Sequence, residues 1–103
     1  MKLRPWQWSD GTPFGWAHWC PGCEEYHSFA VNRPQVNGAQ WTFDGNMDKP
    51  TFNPSMLVHT YEHDGTTVKD VCHYFLHEGQ LKFLGDCTHA LKGQTVPLPE
   101  DPN

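Results

Sequence analysis

The feature that most restricts this chain is Cys20-Pro21-Gly22-Cys23. Proline presets φ and glycine accepts the left-handed or close-approach geometry that follows, so the segment makes a tight turn. Both sulfurs then point at one spot, which is half of a tetrahedral zinc site. The other cysteines are Cys72 and Cys87, so the far half of the chain must fold back to complete it. In a regular strand Cys72 and His73 point to opposite faces. Cys72 would share its face with Tyr74 and Leu76, and His73 would share the other with Val71 and Phe75. If only one of the two ligates, the simplest set is Cys20, Cys23, Cys72 and Cys87, with His73 and His89 as alternates. Four thiolates make a closed, structural site that contributes directly to folding.

A chain of 103 residues has room for one modest core, and a metal is a common supplement at that size. Aromatics make up 14% of the chain, so burial rests on a few large side chains. Nine Gly and nine Pro oppose long helices. Strands are expected over residues 14–19, where aromatics alternate, and over 26–31, 40–43, 56–62, 68–77, 81–84 and 94–98. Turn signals separate them at 9–13, Asn37-Gly38, 44–46 and 63–65. Residues 50–55, with prolines at 50 and 54, should be extended and irregular. They form either a rigid connector or the wall of a groove into which the Ser55 hydroxyl points. Residues 86–91 read as a helical turn or a loop. The expected fold is one mostly β domain over residues 1–103 with little helix. It is a small antiparallel sheet, partly open barrel or sandwich carrying a zinc knuckle. Residues 1–13 are expected as an N-terminal arm and 99–103 as a flexible tail.

Net charge is −5 with seven Lys and Arg, the wrong footprint for neutralising phosphates, so nucleic acid is excluded as the main partner. The first eight residues carry no apolar signal core, and no apolar run reaches spanning length, which predicts a cytoplasmic protein away from membranes. In a reducing compartment four cysteines read as metal ligands or a redox pair. A thioredoxin-type pair needs a helix after its first cysteine, whereas a strand is expected here.

Four further groups sit within a few residues of candidate ligands: His27, His73, Asp86 and His89. They are candidates for an acid/base set, a second metal site or the groups that orient ligands. Two cysteines plus histidine and a water would make the zinc catalytic instead of structural. His18, His59, His63 and His77 are assigned to surface or core.

Cys-Pro-Gly-Cys-x-x-x-His, Trp-Thr-Phe-Asp-Gly, Lys-Pro-Thr-Phe-Asn-Pro-Ser, Cys-His-x-Phe and Phe-Leu-Gly-Asp-Cys-Thr-His-Ala-Leu-x-Gly-Gln-Thr-Val follow one another in the chain. In that order they resemble an uncharacterised family of small tailed-phage and prophage proteins. The resemblance touches Cys20, Cys23, His27, Trp41, Pro50, Thr51, Pro54, Ser55, Cys72, His73, Asp86, Cys87 and His89. It implies a phage-encoded protein acting in the host cytoplasm. Some relatives carry an ammonia monooxygenase label, which a chain without a membrane span does not support. More distant relatives accompany bacterial ubiquitin-like conjugation genes, a hint of a peptidase or a conjugation accessory. Three readings follow. The first is a zinc-stabilised module that binds a protein through exposed aromatics such as Trp6, Trp8 or Trp16. The second is a small zinc hydrolase using His and Asp86 at the metal. The third is a redox protein using Cys20 and Cys23.

Overall fold

The computed structural model describes all residues except 33, 36 and 37; the expected Asn37-Gly38 turn therefore falls partly outside the described residues. Among those described there is no helix. Two antiparallel sheets form the structure and do not close into a barrel, in line with the β class expected from the alternating aromatics.

The first sheet contains β1 (Arg4–Gln7), β2 (Pro13–Cys20) and β3 (Glu25–Ala30), in that order. The segment read as an arm thus supplies β1, paired from Arg4↔Ala17 to Gln7↔Pro13. Residues 99–103, read as the tail, hold Asp101, which accepts hydrogen bonds from Arg4 at 2.9 Å and from the Tyr26 hydroxyl. The second sheet runs β4 (Thr42–Phe43), β5 (Phe52–Tyr61), β6 (Val68–His77), β7 (Gln80–Phe83) and β8 (Thr95–Pro97). Residues 86–91 form an irregular loop with turns at its two ends.

Side chains from both sheets meet in the core. Phe29 of β3 packs edge-on against Phe52 of β5 with centroids 4.3 Å apart, and Phe43 stacks on Phe52 at 4.5 Å. Along β6 the alternation holds: Cys72, Tyr74 and Leu76 are buried, while Val71, His73, Phe75 and His77 face outward. β5 departs from regular pairing near its start. Between Phe52↔Leu76 and Met56↔Tyr74 it advances four residues while β6 advances two. The surplus lies in Asn53–Pro54–Ser55, which includes a cis Asn53–Pro54 peptide. Such a bulge re-aims a side chain, and here the re-aimed side chain is Ser55. The segment expected to be extended and irregular is that bulge.

Tyr74 lies fully buried between two imidazoles. Its hydroxyl is 2.6 Å from His18 Nε2 and 3.1 Å from His27 Nδ1. Burial lowers His18 to about 4 and His27 to about 3, the nearby imidazole of His18 adding to the effect on His27. Both rings are thus neutral in the fold, whereas in the unfolded chain they titrate near the ordinary value of about 6.5. Between those values only the unfolded state binds the proton, so stability is complete above pH 6.5 and falls as pH drops through the window. Urea unfolding midpoints measured from pH 7 to pH 4 should fall, with His18 and His27 together contributing a proton uptake approaching about two. His18→Gln and His27→Gln should each remove about one of them; an unchanged slope in both variants contradicts this account.

Candidate metal centre and catalytic triad

The Cys20–Cys23 turn meets β6 at Cys72 and the 86–91 loop at His89. Cys20 Sγ is 3.9 Å from Cys72 Sγ, and His89 Nε2 is 3.4 Å from Cys72 Sγ. With Cys23 Sγ, the four atoms all lie within 4.8 Å of one another. A tetrahedral ion bound at about 2.3 Å to sulfur and 2.0 Å to nitrogen requires S···S edges of about 3.8 Å and S···N edges of about 3.5 Å. The residues fit a metal ion.

Their chemistry fits as well. The hydrogen bond from Cys72 pulls the Cys20 thiol down to about 6 against the effect of burial. Burial, reinforced by the Cys20 charge, pushes Cys23 up to about 12. Cys72 is pushed up further, first by the bond it makes to Cys20 and then by burial. Burial lowers His89, which keeps its ring neutral. One thiolate and one imidazole are thus ready to ligate, and the other two thiols lose their protons only to a cation. Gly22 makes the approach possible, because a Cβ there would lie 2.6 Å from His89 Nε2.

Cys87, expected as the fourth thiolate, is placed elsewhere, and His89, the alternate, occupies that position. The buried Cys87 thiol donates to the His73 carbonyl oxygen at 3.1 Å and accepts from the His73 amide at 3.3 Å. It clasps the backbone of the residue whose side chain matters most on the outer face.

On that face His73 Nε2 lies 3.2 Å from Ser55 Oγ, and His73 Nδ1 lies 3.0 Å from Asp86 Oδ2. An ionised carboxylate can only accept, so the Asp86 contact fixes the ring proton on Nδ1. Nε2 is left as a lone pair facing the Ser55 hydroxyl. The geometry matches that of a serine–histidine–aspartate triad, which is recognised by geometry rather than by order in the chain. Its three members come from the β5 bulge, from β6, and from the loop that follows β7. The loop is clipped to β6 by Leu84 N–H to the His73 carbonyl at 2.9 Å and Thr88 N–H to the Val71 carbonyl at 2.9 Å. Of the site candidates read from sequence, His73 and Asp86 meet here and His89 joins the metal cluster. His27 sits with Tyr74 in the core; its buried Nε2 has no hydrogen-bond partner among the described residues but lies 3.8 Å from the Glu25 carboxylate, and the two also group with Cys23 within 4.8 Å. From its sequence context Ser55 reads as a groove-lining hydroxyl or part of a rigid connector, not as a nucleophile. Its pairing with His73 depends on the bulge, which sets a cross-strand register that composition and spacing do not encode.

The two sites share their backbone. Cys72 adjoins His73, and Asp86 lies three residues before His89, so an ion held by Cys72 and His89 ties together the segments that carry the base and its aspartate. Metal analysis of the purified protein should find one ion per chain. Cys72→Ser and His89→Ala should lose it, Gly22→Ala should weaken it, and Cys87→Ser should retain it. Loss of metal from Cys87→Ser with retention in His89→Ala contradicts the assignment.

No curated protein and no solved structure matches the chain. A family model described as bacterial ubiquitination-like system serine protease (BubE) matches residues 5–84. The matched stretch takes in Cys20, Cys23, Ser55, Cys72 and His73, and Asp86 and His89 follow it. Because the match spans most of the 103 residues, the chain belongs to the bacterial ubiquitination-like system serine protease family, BubE.

Proposed function

We propose that the protein is a serine hydrolase of the protease type, with Ser55 as nucleophile, His73 as general base and Asp86 as the group that orients His73. The observation that carries the reading is the pair of hydrogen bonds from Ser55 through His73 to Asp86. The family description supports peptide bonds as the target. In the first half-reaction Ser55 Oγ forms a bond to the substrate carbonyl carbon while its proton moves to His73 Nε2. The same proton passes to the leaving amine as the C–N bond breaks, leaving an acyl-serine. Water then attacks the ester, giving its proton to His73, which returns it to Ser55 as the acid departs. Asp86 accepts the Nδ1–H bond throughout and holds the imidazolium in place.

In this reading the Cys20, Cys23, Cys72 and His89 set binds zinc, supported by the preference of thiolates for that ion. Four protein ligands make the zinc a structural cross-link, so the hydrolase chemistry belongs to the triad and not to a metal-bound water. The same thiols as metal ligands argue against a redox role for Cys20 and Cys23. The partner is then the substrate polypeptide. Of the tryptophans considered for a docking patch, Trp6 is exposed, while Trp8 packs on Phe14 and Trp16 on Phe43. The reading of the cysteines as metal ligands and the phage resemblance favour a host-cell cytoplasm; no helix among the described residues is long and apolar enough to cross a membrane.

Reaction with a fluorophosphonate, which traps activated serines, tests the assignment on metal-loaded protein. Ser55→Ala should abolish labelling, while His73→Ala and Asp86→Asn should slow it by about 10²–10⁴-fold. Metal content should be unchanged in all three. Equal labelling of Ser55→Ala and the parent protein would contradict the proposal.

A further inference from the structure

Among the described residues, two strand edges lack a paired strand in the same region of the molecule. β3 is the outer strand of its sheet. β5 is covered by β4 only at Asn53 and Phe52, so among the described residues no strand pairs with residues 56–61 on that side. A cleft of about 430 Å³ lies between these edges, walled by the runs 27–29 and 55–59. Consecutive strand residues point to opposite faces, so a cleft touched by five in a row runs along the edge of β5, with Tyr74 of β6 as its floor on the core side. The same holds for the three of β3. Val58 also borders a second cleft with Cys23, Glu25, Thr60 and Tyr61, which continues the line toward the metal cluster. At the other end Trp41 closes the space. Its amide donates to the Ala30 carbonyl at 2.8 Å and its indole N–H to the Ser55 carbonyl at 3.2 Å, one bond to each sheet.

We infer that this slot receives the substrate as an extended strand inserted between β3 and β5, held mainly through its backbone and brought to Ser55 at the end that Trp41 closes. The inference rests on the nucleophile reading above. Strand addition at an open edge draws affinity from main-chain hydrogen bonds, and two facing edges offer partners to both sides of the inserted chain. The ligand class is an unfolded segment or tail of a polypeptide, as opposed to a folded surface or a small ester. The slot also accounts for two exposed edges that would otherwise invite pairing between copies of the protein.

The test uses metal-loaded Ser55→Ala protein and a display library of random linear decapeptides. The tightest binder is then remade with single N-methylated amides and, separately, with single alanine side chains. Each N-methylation in the central stretch should weaken binding about tenfold, the loss of one hydrogen bond, and most alanine replacements should weaken it less. Ser28, exposed on the cleft wall, probes the slot sterically, and Ser28→Trp should block the peptide. Failure to enrich any peptide, or affinity indifferent to N-methylation, overturns the slot while labelling of Ser55 leaves the nucleophile standing. Absence of labelling in the parent protein removes the nucleophile reading itself.

Discussion

The convergence of Cys20, Cys23 and His89 on Cys72 is the constraint on which the rest depends. It joins the hairpin turn of one sheet to a central strand of the other, and both to a loop with no regular structure of its own. The two sheets share a core of large aromatic side chains, but a shared core leaves sliding open at little cost in buried area. A cluster of three sulfurs and an imidazole does not. An ion held by these four residues would give a small domain with so few aliphatic residues positional definition beyond what hydrophobic burial provides.

The alternation of a single strand then divides the labour. Cys72 faces inward to the cluster and His73 outward to Ser55 and Asp86, one residue apart. Two chemistries are thereby placed on opposite faces of β6 without mixing: buried thiols on one side, and a half-exposed acid–base pair on the other. Cys87 strengthens the division by bonding both backbone groups of His73. A thiol that reads as a ligand from its neighbours in sequence acts here on the positioning of a histidine.

Much of the fold was legible. The aromatic alternation in 14–19 and the run 68–77 gave strands, and the Pro-Gly turn gave the first half of the cluster. The fourth ligand was not legible, because Cys87 and His89 lie two apart in an irregular loop where alternation gives no face to either. β1 was missed because residues 4–7 show no clean period of two. Ser55 was the larger loss. Its neighbours Pro50 and Pro54 announced irregular backbone, yet only the register shift against β6 shows which side chain the irregularity turns toward His73.

The central claim is that a metal held by the cluster fixes the His73 ring between Ser55 and Asp86, and the His73 imidazole reports on it directly. Proton and nitrogen NMR of the ring in metal-loaded protein should show a slowly exchanging Nδ1 proton shifted far downfield by its bond to Asp86. Chelation of the metal should collapse that signal toward that of a free histidine while the β-sheet amides away from the cluster persist. A His73 resonance that survives chelation unchanged would show that the triad stands without the metal centre and would contradict the account.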